Sequence, residues 1–253
     1  MPGISWLHGT RGSNVFLVEA DDGQLALIDT GFASSSSAIL DELREVGRPL
    51  AAILITHHHR DHSGAAEAIR AATGATVCAA RADCVEQDGT VFLRQSVGRS
   101  HLARYVLATV RRRRLRPALA IDRAFEGDDE LLPGIRAVAV PGHTPGSVCY
   151  VVDRLGAAFV GDLVISHEGT LTRALRMANH DDAQYLESIR RFGVVAPEVG
   201  LPGHGTPLLS GFGEALRELG GLPRRPMGVA TLRERVTRLR RFGRGMSQPR
   251  RPA

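Results

Sequence analysis

The stretch His57-His58-His59-Arg60-Asp61-His62 packs four histidines and an aspartate into six residues, directly after the apolar run Ala51–Ile55. A short, continuous apolar run of this kind reads as a strand buried on both faces, the strand type of α/β proteins. In such proteins functional side chains collect where strands run out into loops. Residues i and i+2 of an extended chain share a side, so His57 and His59 face one way while His58 and Arg60 face the other. Asp61 and His62 fall where the chain turns into the next helix and reach the same pocket from another direction. Imidazole nitrogens and carboxylate oxygens are the donors a borderline divalent cation takes. Four such donors in six residues exceed what one tetrahedral site with an open position uses, and the excess points to two cations.

Three more donors stand in similar settings. His143 lies in VPGHTPGS after the apolar segment IRAVAV, Asp162 ends AAFVGD, and His204 lies in LPGHGTP. Between them the pattern alternates strand and helix. Asn14–Glu19 and Gln24–Asp29 are expected strands joined by an Asp21-Asp22-Gly23 turn. Ile39, Leu40, Leu43 and Val46 recur at helical spacing, with a serine as N-cap and Gly47 as the stop. Ala65–Ala72 and Arg81–Asp88 are expected helices and Ala75–Ala79 a strand. Strands are also expected at Ile135–Val140, Ser147–Asp153 and Ala157–Val160, and a helix capped by its own aspartate at Asp181–Phe192. Residues 90–133 show little pattern beyond a helix at His101–Arg116, which ends in an arginine run.

With 43% apolar and 23% charged residues, the chain can bury a large core and is not disordered. Its net charge of +5 is unevenly spread: residues 217–253 hold 11 arginines against Glu218 and Glu234, and the rest is net −4. This divides the chain into a main domain, residues 1–216, and an Arg-rich C-terminal helix and tail, residues 217–253. Leu232, Val236 and Leu239 line one face of Thr231–Phe242, a basic amphipathic helix. Such a segment can contact nucleic acid or an anionic surface, and its plainer role is a solvated helix packed through those three residues. No apolar run approaches the roughly 18 residues of a membrane span. MPGISWLHGT shows no secretory leader, and Cys78, Cys84 and Cys149 form no CxxC pair. A cytoplasmic protein acting on a small molecule is expected.

The ordered motifs His57-x-His59-x-Asp61-His62, His143 in PGHTPGS, Asp162 in GD and His204 in PGHG, preceded by Asp29 in IDTG, carry a resemblance. Over residues 14–207 the chain resembles the metallo-β-lactamase fold superfamily of metallo-hydrolases. The resemblance implies a four-layer αββα sandwich, two mixed β-sheets face to face with helices outside and metals at one edge. It implies one ion held by His57, His59 and His143, another by Asp61, His62 and His204, with Asp162 bridging and Asp29 orienting a ligand from behind. Zn2+ is the expected metal, with Mn2+ or Fe2+ as the other candidates. Two ions roughly 3.5–4 Å apart lower the pKa of a shared water to about 7. The implied chemistry is hydrolysis by that hydroxide, with Asp61 orienting it or passing a proton to the departing group.

The bridging aspartate resembles the glyoxalase II, lactonase and phosphodiesterase branches, so the implied substrates are thioesters, lactones or related esters. Gly205-Thr206 follows His204, where glyoxalase II carries an acidic-aromatic pair. Two other classes stand beside this reading. One is a mononuclear-iron persulfide dioxygenase-like enzyme, which would neglect Asp61, His62 and His204. The other is a metal-binding protein whose basic tail contacts nucleic acid or an anionic surface. His8, His101, His167 and His180 match no motif and are read as ordinary core or surface residues. Residues 90–133 and 166–180 are expected to cap the pocket.

Overall fold

The computed structural model describes residues 1–95 and 119–224; the helices expected at His101–Arg116 and Thr231–Phe242 lie outside them. Strands β1 (Ile4–Trp6), β2 (Phe16–Glu19), β3 (Leu25–Ile28), β4 (Leu50–Leu54), β5 (Thr76–Ala80) and β8 (Arg123–Phe125) pair in that order. The first three are antiparallel, and β3, β4, β5 and β8 are parallel. The second sheet runs β15 (Val199–Pro202), β12 (Ala157–Gly161), β11 (Val148–Val152), β10 (Ile135–Ala139), β9 (Asp129–Leu132), with β12 and β15 parallel and the rest antiparallel.

Alternating side-chain direction along the strands sorts the core into three layers. Phe16, Val18, Ala26, Ile28, Ala52 and Leu54 face Val148, Tyr150, Val152 and Phe159 of the other sheet. The intervening Leu17, Leu25, Leu27 and Ile53 face outward onto Ile39 and Leu43 of α1 (Ser36–Val46) and Ile69 of α3 (Ala66–Thr73). Cys149, Val151, Ala158 and Val160 in turn face Tyr185, Ile189 and Phe192 of α4 (Asp182–Val195) and Phe212 and Leu216 of α5 (Phe212–Gly221). The layers are helix, sheet, sheet, helix, as expected. Strands β3, β11 and β12 are buried along their whole length, which is why they are written as unbroken apolar runs. Helix α5 crosses the division drawn between residues 216 and 217.

Several local expectations are corrected. Arg81–Asp88 is not a helix but a short turn, Arg81–Asp83, followed by a hairpin of β6 (Cys84–Gln87) and β7 (Thr90–Leu93). Asp88 and Gly89 both take positive φ, 50° and 75°, the backbone form that joins two twisted strands tightly, and this turn overrides the helical spacing. Ser35 stands at the N-cap position of α1, but its hydroxyl is spent on Arg11, accepting from its N–H (2.8 Å) and donating to its carbonyl (3.0 Å). Asp181 does cap α4, accepting from the N–H groups of Ala183 and Gln184. Strands β1, β8 and β9 add short edge or near-edge pieces whose mixed polarity hides them from a periodicity reading. A further hairpin, β13 (Ile165–His167) with β14 (Thr170–Thr172), forms within the stretch expected to cap the pocket. No helix among the described residues is long and apolar enough to cross a membrane.

Phe159 is fully buried, and its ring lies 5.4 Å from that of Phe16 across the two sheets. Phe159→Ala should therefore cost about 3–5 kcal/mol in denaturant unfolding. Val194→Ala, at an exposed position of α4, should stay within about 0.5 kcal/mol in the same measurement.

Candidate metal centre

Strand ends deliver every donor. His57 and His59 follow β4, Asp61 and His62 lie on the single turn α2 (Arg60–Ser63), and His143, Asp162 and His204 follow β10, β12 and β15. Hydrogen bonds between the two sheets hold these ends in register. Val148 N donates to Thr56 O (3.0 Å), and the Tyr150 hydroxyl donates to Ile55 O (2.8 Å). Within the second sheet, Gly203 N donates to Gly161 O (2.8 Å) and ties the ends of β15 and β12 together.

Two groups of donors result, His57, His59, His143 with Asp162, and Asp61, His62 with His204; within each, the donor atoms lie within 4.8 Å of one another. In the first, His59 Nδ1 stands 3.0 Å from His57 Nε2 and 3.1 Å from His143 Nε2. In the second, His204 Nε2 stands 3.3 Å from both His62 Nε2 and Asp61 Oδ2. Asp162 faces both groups. Its Oδ2 is 3.3 Å from His143 Nε2, and its Oδ1 is 3.3 Å from His62 Nε2 and 3.5 Å from His204 Nε2.

Residues behind the donors decide which nitrogen is free. Asp29, at a left-handed φ of 57°, accepts from Thr56 N (2.8 Å) and the Thr56 hydroxyl (2.7 Å) and lies 2.7 Å from His62 Nδ1. His62 Nδ1 therefore carries the proton, and its Nε2 lone pair faces the group. A Thr56 hydroxyl that donates to Asp29 can only accept from His57 Nδ1, 3.1 Å away, which frees His57 Nε2 in the same way. Asn179 Oδ1 lies 3.0 Å from His143 Nδ1, and its amide orientation is set by donation from Nδ2 to Asp182 (2.7 Å).

The donor set fits divalent cations. At a metal–nitrogen distance near 2.05 Å, the edge of a tetrahedron of ligands is about 3.3 Å, close to the spacings seen here. Asp162 Oδ1 is buried and accepts no hydrogen bond, an orphaned acceptor between histidines. A Cβ on Gly203 would stand 2.6 Å from the His62 ring and 3.0 Å from Asp162 Oδ1, so glycine leaves these two donors room to converge.

Electrostatics agree. Burial, with His62 and His59 nearby, pushes His57 well below the usual histidine range, and burial with His143 nearby takes His59 to about 4. Burial alone would lower His62 too, but Asp29 and Asp162 raise it well above its usual value. Burial would raise Asp162, yet His204 and His62 hold it well below the carboxylate range. Burial works against ionised Asp61 as well, but His204 and His62 bring it to about 2.

All seven donors expected from the sequence, and Asp29 behind them, are brought together. Thr56, Asn179 and Asp83 were not legible as site residues; Asp83 lay inside a stretch expected to be helical. His58 faces away, its Nδ1 3.1 Å from buried Asp83. His8 packs on Trp6 with ring centroids 5.5 Å apart, and His167 and His180 are exposed, although His180 N bonds to His143 O (3.0 Å). His101 lies outside the described residues.

Comparison with known proteins matches residues 8–204 to the Metallo-beta-lactamase superfamily. A hydroxyacylglutathione hydrolase of Maricaulis maris is 33% identical over 155 residues, 60% of this chain and 47% of its own. The thioesterase pkgB of Emericella nidulans is 25% identical over 211 residues, 83% of this chain and 49% of its own. The chain thus spans about half the length of these curated relatives. The crystal structure of the BLEG-1 B3 metallo-beta-lactamase superposes with a TM-score of 0.62 at 24% identity, covering 86% of this chain and 100% of that one, and has the same fold.

Two outcomes are expected of metal-binding measurements. Asp29→Asn removes the carboxylate behind His62 and should weaken metal binding about 10- to 100-fold in chelator competition. Because His62 and His143 hold protons more tightly than usual, a cation must displace them. Binding should therefore release protons in unbuffered titration, and affinity should fall as pH falls, with His59, titrating near 4, competing only in acid.

Proposed function

Because the chain belongs to the metallo-beta-lactamase superfamily, we propose that it is a metal-dependent hydrolase of a small-molecule ester-type bond: a thioester, lactone or related ester. The observation that carries this reading is Asp162, one carboxylate facing two complete sets of donors. His57, His59 and His143 would hold one divalent ion and Asp61, His62 and His204 the other, with Asp162 shared. Zinc suits this nitrogen-rich set, and manganese or iron are the alternatives. When bound, such a pair supplies Lewis acidity and water activated near neutral pH.

The chain's own residues supply the rest. Asp61 is the most accessible of the acidic donors, at 27% side-chain exposure, and is ionised at neutral pH. Its Oδ2 is turned to His204, which leaves Oδ1 to orient water and pass a proton to the departing thiolate or alkoxide. Buried His57, His62, His143 and His204 close the floor of the site to bulk water. No cysteine competes as a nucleophile, since burial pushes the thiols of Cys78 and Cys84 up to about 11. The names of the relatives, a hydroxyacylglutathione hydrolase and a thioesterase, favour thioesters among the candidates. Three free, buried cysteines accord with a reducing, cytoplasmic setting.

Asp162→Ala tests the shared donor. Wild-type protein purified without chelator should hold two ions per chain by elemental mass spectrometry and release thiol from thioesters. The variant should lose metal and at least roughly 100-fold in turnover. Full activity in the variant would remove the shared-ligand assignment, and a single iron with oxygen uptake on persulfides would replace the hydrolase with a dioxygenase.

A further inference from the structure

Asp83 closes the turn Arg81–Asp83 and belongs to neither donor group, yet its side chain is almost wholly buried beside them. Its Oδ2 accepts from His58 N (2.9 Å) and from the Thr144 hydroxyl (2.7 Å), and lies 3.1 Å from His58 Nδ1. Its Oδ1 accepts from Gly146 N (2.8 Å). His58 sits between the donors His57 and His59, and Thr144 directly follows the donor His143. One carboxylate therefore grips both loops that carry the first trio, one loop from each sheet. The approach requires glycine at 146, where a Cβ would stand 2.6 Å from Asp83 N and 2.8 Å from its side chain.

The second trio is tied elsewhere. Asn14 N donates to Gly203 O (2.7 Å), and its side-chain amide donates to Pro202 O (2.9 Å) and Gly205 O (2.8 Å), which fixes the turn bearing His204. Asp61 and His62 are held from the first sheet, through Ser13 N to Asp61 O (2.8 Å) and the Thr30 hydroxyl to His62 O (2.9 Å).

We propose that Asp83 is a positioning residue that sets the spacing of His57, His59 and His143, and so governs metal affinity at that position alone. The proposal rests on the two-ion reading given above. Its chemistry makes a sharp distinction between acceptor geometry and volume. Asp83→Asn keeps the shape, but an amide whose oxygen faces Gly146 N must turn its NH2 toward the His58 N–H, donor against donor. Thr144→Val deletes one contact to the carboxylate, and Thr144→Ser retains it.

The test compares wild type, Asp83→Asn, Thr144→Val and Thr144→Ser, each loaded with zinc and dialysed. Zinc per chain, the rate of zinc transfer to a chelator, and thermal unfolding of the metal-free proteins are measured. Wild type and Thr144→Ser should keep two ions. Asp83→Asn and Thr144→Val should keep one firmly and release the other about 10- to 100-fold faster, while metal-free unfolding falls no further than loss of a buried hydrogen bond explains and the ion of the second trio is held as in wild type. Wild-type release from Asp83→Asn and Thr144→Val, or loss of both ions in step with a general fall in stability, would overturn the proposal. If Asp83→Asn does not fold, Thr144→Val decides by the same criterion. A wild type that never takes up two ions overturns the two-ion reading itself, a result distinct from two ions with unaltered release in the variants.

Discussion

A carboxylate buried among imidazoles, Asp162, is the contact around which the rest of this protein is arranged. Removing a charge from water costs several kcal/mol unless partners replace the lost solvation. Here the charge of nearby imidazoles keeps it ionised, with His62, His143 and His204 at 3.3–3.5 Å, each from a different part of the chain. Asp162 ends β12 of one sheet while His62 follows β4 of the other, so the contact exists only when the two sheets are packed and in register. Phe159, three residues ahead of Asp162, sits in the layer between the sheets and ties core packing to the position of this carboxylate.

The sandwich divides its labour along its length. Between the sheets the packing is apolar, the kind of core that tolerates exchange of hydrophobic residues provided volume is kept. At the end where β3, β4, β10, β12 and β15 run out, apolar packing gives way to directional bonds: Thr56 to Asp29, Asn179 to His143, Asp83 to His58 and Thr144, and Asn14 to the Pro202–Gly205 turn. Directional bonds are what a metal centre requires, since imidazole must present one particular nitrogen along one particular line. The helices outside the sheets contribute stability, and α4 also reaches the site, because Asp182 in its first turn holds the amide of Asn179.

Such a fold constrains the reaction more than the substrate. On the hydrolase reading proposed above, the donors would define where a scissile bond lies and where water is activated beside it. On that reading, selection among esters would fall to the β13–β14 hairpin and the stretch from Arg173 to Asp181, which adjoin His204 and His143 through Ser166 N to His204 O (3.0 Å) and His180 N to His143 O (3.0 Å). These are backbone contacts, so side chains on the rim can vary without disturbing the metal ligands.

The seven candidate donors were legible in the sequence because each stands in a local motif, and the αββα class was legible only through the family resemblance that those ordered motifs carry. Unbroken apolar runs mark strands covered on two faces, and His57-x-His59-x-Asp61-His62 is dense enough to state its chemistry unaided. The Arg81–Asp88 hairpin was misread because one Asp-Gly pair with positive φ outweighs a helical spacing. Thr56, Asp83 and Asn179 were invisible for a different reason. Each acts through a partner that folding supplies, Asp83 across 61 residues to Thr144 and Asn179 across 36 to His143. By itself, the sequence determined which donors exist and on which strand ends they stand. Which nitrogen each histidine offers, and what grips the loops that carry them, was decided only by the packing of two sheets, because hydrogen bonds between distant segments have no period for a sequence to display.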